Sequence, residues 1–165
     1  MKLKDLDYVN DNINLDEYIA FRTMVKEYME HPEWLGDFSR EDLVTFLEIG
    51  SKIWIYYNKK EPVCSMMSIP SSKKDLIKFQ IPIDCREVVD YGPMFVNPKY
   101  VGNGLQLQML EELDKYSASV GYKYGLTTIH PDNIYSIRNA LKDGFEYKNR
   151  IEAKRGPRNV YLKKY

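Results

Sequence analysis

Between residues 14 and 28, apolar side chains recur at Tyr18, Phe21, Val25 and Tyr28, the spacing of one helix face. Asn14 followed by Glu17 is a capping-box signature, and Pro32 stops the run. Ser39 with Asp42 repeats the start signal for a second helix carrying Leu43, Phe46 and Leu47, closed by Gly50. The period then shortens. Ile53-Trp54-Ile55-Tyr56-Tyr57 and the stretch from Val63 to Ile69 read as strands joined at Asn58-Lys59-Lys60, a hairpin. Residues 70 to 86 are ambiguous: Pro70, Pro82 and Ser71-Ser72 break regularity, with room for a short helix from Asp75 to Phe79. Val88 to Val96 reads as a strand interrupted by Gly92-Pro93. Proline cannot donate to a ladder, so a bulge or a splayed strand is expected there.

Leu105, Met109, Leu113 and Tyr116, joined by Leu110 and Val120, form the stripe of a further helix that Gly121 ends. Tyr122 to Ile129 follows as a strand. Asn133 caps a helix carrying Ile134, Ile137 and Leu141, ended by Gly144. Phe145 to Ile151 and Val160 to Lys163 can pair as a final hairpin around Gly156-Pro157. Helices, hairpin, strand, helix, strand, helix and hairpin make a mixed α/β (α+β) domain with one crossover unit in its middle, spanning 1–165 as a single domain.

Lys plus Arg and Asp plus Glu number 24 each, so neither nucleic acid nor an anionic membrane is a default partner. Cys64 and Cys85 sit among apolar residues with no CxxC, as reduced thiols of a cytoplasmic protein would. The opening MKLKDLDYVNDNINLDEY has no apolar h-region, against a secretory signal. No apolar run approaches the ~20 residues needed to span a bilayer. Two histidines and two cysteines at unrelated spacings indicate no metal site.

The chemistry-bearing stretch is VNPKYVGNGLQLQMLEEL, residues 96 to 113. A strand turning through Gly102-Asn103-Gly104 into a helix leaves backbone N–H groups free where the helix dipole is positive. That is an anion site suited to phosphate, which the glycines let approach without meeting a Cβ. The plain alternative is a strand–helix turn that needs positive φ. A P-loop is excluded by Leu105 after Gly104, and a dinucleotide fingerprint is disfavoured by Leu107 where its third glycine belongs.

This segment, with YGLTTIHPDNIYSIRNALKDGF downstream, resembles the GNAT superfamily of acyl-CoA-dependent N-acetyltransferases. The first stretch is similar to the family's acyl-CoA motif and the second to its next strand–Asn–helix motif. The two cover residues 88 to 145, and the flanking elements fall in the family's order. The resemblance implies a mostly antiparallel central sheet flanked by helices, with a splayed pair of parallel strands forming the acyl-CoA slot. It implies acetyl-CoA as co-substrate, no metal, and pyrophosphate held by main-chain amides of Tyr100, Val101, Gly102, Asn103, Gly104 and Leu105. The pantetheine arm would lie along Met94, Phe95 and Val96, with an oxyanion-type donor near Phe95. Asn133, Ser136 and Asn139 would face the cofactor; a helix cap, a hydroxyl returned to backbone and a solvated residue are their respective alternatives. The resemblance also implies an amine acceptor, small molecule or peptide, and a last hairpin that can support a homodimer.

Two departures bear on the chemistry. Val101 stands where the family often has Arg or Gln, leaving Lys99 as the nearest cation. Ala140 stands where many members carry a tyrosine that reprotonates the leaving thiolate. An amine nucleophile with a pKa near ~10.4 needs a base or water relay, for which Asp90 leads Glu87 and Tyr91; a strand-end residue facing solvent is its alternative. Tyr135 and Tyr124 are the substitute acids, while His130 and His31 read as structural. The acceptor pocket is expected from His31 to Phe38 and from the 70–86 connection, with Trp34, Phe38 and Phe79 as walls; core packing is the alternative for these aromatics. The leading function is direct acetyl transfer to a primary amine; the alternative is a non-catalytic acyl-CoA-binding or sensor module, suggested by Ala140 and Val101.

Overall fold

The structure is a computed structural model describing residues 1–165. Its centre is an eight-stranded sheet built of β1 (Asp7–Val9), β2 (Lys52–Asn58), β3 (Glu61–Pro70), β4 (Val88–Tyr91), β5 (Phe95–Val96), β6 (Tyr124–Ile129), β7 (Glu146–Ala153) and β8 (Gly156–Lys164). Its order is β1-β2-β3-β4-β6-β8-β7, with β5 added beside β3. Every pairing is antiparallel except β4 with β6. The helices are α1 (Leu15–Glu27), α2 (Arg40–Glu48), α3 (Lys73–Lys78), α4 (Leu105–Ser119) and α5 (Ile134–Lys142). None is long and apolar enough to cross a membrane. The mixed sheet with one parallel pair is the architecture expected from the sequence.

Period-two alternation sorts the strands between two faces. Ile53 and Ile55 pack under α1 and α2 with Tyr18, Phe21, Val25 and Leu43. Trp54 and Tyr56, one residue out of step, pack against Leu105, Met109 and Leu113 of α4. A smaller cluster, including Leu76, Phe79, Ile81, Val88 and Leu126, closes the sheet near α3.

The helix starts follow the caps. Asn14 accepts from the amides of Asp16 and Glu17, and Ser39 with Asp42 forms a full capping box. Asn14 does not form one: the Glu17 carboxylate instead accepts from the Tyr57 hydroxyl at 2.7 Å, tying α1 to β2. β1 is absent from the sequence reading, because three exposed residues carry no pattern. The last turn lies at Lys154-Arg155, so Gly156-Pro157 already belong to β8.

The break at Gly92-Pro93 has a sharp consequence. Parallel pairing of β4 with β6 ends at Asp90 opposite Leu126. The chain then steps to β3: the Gly92 amide donates to Met67 O at 2.9 Å, and Phe95 and Val96 pair with Ser65 and Cys64. The two strands splay as expected. Phe95 anchors the departing strand, its ring 5.1 Å from Phe21 and 5.7 Å from Tyr18, centroid to centroid.

Phe95→Ala is therefore expected to lower unfolding free energy by about 3–5 kcal/mol, read from the urea midpoint. A loss below ~1 kcal/mol would mean that the ladder to β3 holds β5 by itself.

Candidate active site

Where β4 and β6 part, a cavity of about 370 Å³ opens and runs toward the tip of the β7–β8 hairpin. Its size suits a small organic ligand or part of a larger one. One side is the 92–96 segment and the other is β6 from Thr127 to Ile129. The two facing edges differ in what they offer. The Asn97 amide bonds Val63 O at 2.8 Å, so ladder alternation turns the Phe95 amide toward β3 and the N–H and C=O of Val96 into the gap. The donor expected near Phe95 is thus Val96; Phe95 contributes only its side of the wall.

Asn97 also shapes the loop beyond. It is 3% exposed, sends its side-chain amide to Pro62 O and accepts from the Lys99 amide. Its carbonyl takes the Tyr100 amide at 2.8 Å, and the Val101 amide makes a long 3.4 Å bond to Pro98 O. The expected cradle of amides from 100 to 105 is corrected accordingly: Tyr100 and Val101 have spent theirs in a 3-10 turn. From Gly102 through Leu107 no amide donates to a protein acceptor, and the Gln108 amide is the first to bond back, to Gly104 O. Gly102 (φ +92°) and Gly104 (φ +67°) hold left-handed conformations, and a Cβ on either would meet no protein atom within 4 Å. Six free N–H groups thus converge at the start of a fifteen-residue helix.

The side chains here point elsewhere. Asn103 donates to Tyr100 O and lies outside the cavity, as does Gly104. Tyr100 donates its hydroxyl to Glu61 at 2.8 Å, and Lys99 ion-pairs with the same carboxylate. Lys99 is therefore held by β3. Tyr100, Val101, Gly102 and Leu105 line the cavity, as do Met94, Phe95 and Val96.

The start of α5 forms the next part of the wall. Asn133 lines it and caps the helix, accepting from the Ser136 amide at 3.2 Å. Ser136 lines it too, accepting from Gln106 at 2.9 Å. Asn139 does not: it is buried and donates to Gln106 Oε1 at 2.7 Å, so it bolts α5 to α4. Gln106, which the sequence reading missed, lines the cavity and holds both partners. Tyr135 stands at the mouth, 56% exposed, with no hydrogen bond from its phenol. Tyr124 lies outside, against the third core cluster. Ala140 is buried in the wall and offers no acid.

Asp90 sits at the fork, the last β4 residue paired with β6, on the same face as Val88 and beside Ile69. It is partly buried and lines the cavity, and no cation stands near enough to affect it. Burial, with a small contribution from the Asp75 carboxylate, pushes its carboxyl up to about 8. The other candidate bases are spoken for. Glu87 pairs with Lys123, and the Tyr91 hydroxyl is held by Asp114 and Tyr165.

The far end carries side chains the sequence reading left out or left structural. Trp34 and Phe38 line it as expected, but Phe79 is packed in the third core cluster with Leu76 and Ile81, and the 70–86 connection stays outside the cavity. Its apolar residues at helix spacing answer to core burial instead. Trp34 stacks between His31 at 4.3 Å and His130 at 5.2 Å, and His130 lines the cavity. Arg155 and Arg158 complete this end from the final hairpin. No run or motif marks them; only the fold brings residue 155 to residue 35.

No protein-family model and no curated protein matches the chain. Solved structures do. A Bacillus subtilis acetyltransferase in complex with CoA superposes with a TM-score of 0.68 at 10% identity, over 97% of this chain and 99% of the other. A GNAT-family acetyltransferase from Streptococcus pneumoniae gives 0.69 at 16%, over 96% and 99%. A ribosomal-protein-alanine N-acetyltransferase from Brucella melitensis gives 0.73 at 16%, over 97% and 100%. The chain has the fold of the GNAT acetyltransferases over nearly its whole length.

Asp90 makes stability depend on pH. Its carboxyl titrates near 3.8 when unfolded and about 8 when folded. Between those values the native state holds a proton that the unfolded chain has released, so stability falls as pH rises through this window. Asp90→Asn is expected to melt several degrees above the wild type at pH 9 and level with it near pH 4, measured by calorimetry; a constant difference would mean that Asp90 is not desolvated.

Proposed function

We propose that the protein transfers an acetyl group from acetyl-CoA to a primary amine by direct attack within one complex. The observation that carries this reading is the run of six unengaged amides from Gly102 to Leu107 beside a forked sheet. A diphosphate needs several donors and no competing carboxylate, and the helix start provides both. A peptide-like arm needs strand-edge groups, which Val96 and the unpaired edge of β6 beyond Leu126 provide. The residues present therefore fit coenzyme A.

Bound there, acetyl-CoA supplies an activated thioester carbonyl. The chain supplies the rest. The Val96 N–H is the donor on the gap side of β5 for charge that develops on an acyl oxygen. Asp90, raised to about 8, is matched to removing a proton from an ammonium near neutral pH. Tyr135 is the phenol at the mouth that can return a proton to a departing thiolate, which needs little help at a pKa near ~8.5. The second reading, a binding module without turnover, is favoured by the buried Ala140 at the position where the family's acid often stands.

Acetyl-CoA is expected to raise the melting temperature, and Gly104→Val, which forces a β-branched residue to φ +67°, to abolish that shift. Absence of any shift with wild-type protein overturns the cofactor reading. With a responsive amine, Asp90→Asn is expected to cut kcat about 10²–10⁴-fold and to remove a rise in rate centred near pH 8. A stabilising effect of acetyl-CoA without thiol release on any amine establishes the second reading.

A further inference from the structure

The far end of the cavity holds two guanidinium groups with no carboxylate partner. No ion pair within 4.0 Å involves Arg155 or Arg158, although the protein has fourteen ion pairs elsewhere. Both hydrogen-bond only to carbonyl oxygens. Arg155 gives one bond, from Nη1 to Leu35 O at 2.6 Å. Arg158 gives three: Nη1 to Pro157 O at 2.8 Å and to Arg155 O at 3.3 Å, and Nη2 to Glu33 O at 2.9 Å. A guanidinium has five N–H donors. Arg158 therefore keeps Nε–H and one Nη2–H, and Arg155 keeps four.

Arg158 is 6% exposed and lines the cavity, and its Nε, which has no protein partner, is not sealed from solvent. Burial and then the neighbouring Arg155 push its pKa below the arginine range, while Glu33, the one acid that acts on it, opposes this. The Glu33 carboxylate itself accepts from His31. Two adjacent cations in a half-closed pocket cost free energy that an incoming anion removes.

Asp90 is the only carboxylate among the cavity residues, and neither arginine acts on it. A base and a cation pair thus occupy separate parts of one cavity. The wall includes the apolar side chains of Val25, Met29, Trp34, Phe38 and Pro93.

From this arrangement we infer that the acceptor is an apolar amine that also carries a carboxylate, its amine directed to Asp90 and its carboxylate held by Arg158 and Arg155. The inference rests on the acetyl-transfer reading and specifies its substrate class. A carboxylate takes two parallel N–H donors from one guanidinium, the number Arg158 has left. His130 adds a donor at the same end. Its Nδ1 accepts from the Asp132 amide at 3.1 Å, which assigns the proton of the neutral ring to Nε2.

The test is thiol release from acetyl-CoA with amines matched in pairs whose carboxylate lies away from the amine: 5-aminovalerate against pentylamine, ε-aminocaproate against hexylamine, 4-(aminomethyl)benzoate against 4-methylbenzylamine. The carboxylate member of at least one pair is expected to be preferred about tenfold or more in kcat/KM. Arg155→Gln and Arg158→Gln are expected to shrink that ratio by raising KM for the carboxylate member. Arg155 is exposed, so its variant should fold even if replacing the buried Arg158 disturbs the hairpin; melting curves check both. Equal or better use of the neutral member in every pair overturns the inference. So does no turnover of any carboxylate amine, and so does an equal loss on both members in the variants, which would make the arginines mere clamps on residues 33 to 35. The melting shift with acetyl-CoA, measured separately, tells whether the cofactor reading falls with it.

Discussion

The structure depends on a strand that cannot stay in register. After Asp90, Gly92 turns its amide to β3 and Pro93 has none to give, so the ladder with β6 has no continuation. β6 goes straight on against β8 as far as Ile129. Two strand edges are left facing each other. Unpaired main chain inside a protein is costly, so such a gap is tolerated where water or a strand-like ligand completes it. The aromatic contacts of Phe95 with α1 keep the departing strand from collapsing back across the opening.

The closed end of the same fork is locked by polar contacts. The Tyr91 hydroxyl meets both Tyr165 and Asp114 of α4, and Lys163 of β8 pairs with Asp114 and, at 3.2 Å, with Asp143 just beyond α5. Burial, then the Asp114 carboxylate, raise the Asp143 carboxyl to about 7. Gly125 is required here: a Cβ would come within 2.6 Å of the Tyr165 hydroxyl and 3.2 Å of that of Tyr91. Strands β4, β6 and β8 are thereby joined to α4 and the end of α5 just where the fork closes. The splay is confined to the side beyond Asp90.

How far the sequence discloses this differs by feature. The elements were legible because periodicity and caps agree, and Gly92-Pro93 marks a broken strand through the chemistry of two residues. The glycine turn marks a helix start with unengaged amides, but not which amides stay free. That depends on Asn97, whose buried side chain closes the turn that consumes the amides of 99 to 101. Asn139, expected at the cofactor, instead donates to Gln106: it lies one turn further along the same face of α5 as Ser136, where the helix is buried against α4. Phe79 failed for a related reason: an aromatic residue in a connection reads the same whether it walls a pocket or fills a core. Arg155 and Arg158 were invisible because they owe their place in the cavity wall to a hairpin tip meeting a segment about 120 residues earlier.

The separation of charges inside the cavity is itself a physical requirement. Had either arginine stood beside Asp90, its field would have lowered the carboxyl toward the ordinary range. Had a carboxylate stood beside the arginines, their open donors would be occupied and the pocket would recognise no anion. The fold keeps them apart by drawing them from different layers. Asp90 comes from the sheet interior at the fork. The arginines come from the turn after β7 and the start of β8, where Leu35 and Glu33 offer carbonyl oxygens, while the Glu33 carboxylate bonds His31 instead of either guanidinium. Carbonyls hold a guanidinium in place without neutralising it, so the same contacts that close the segment over the cavity leave its positive charge available to whatever enters.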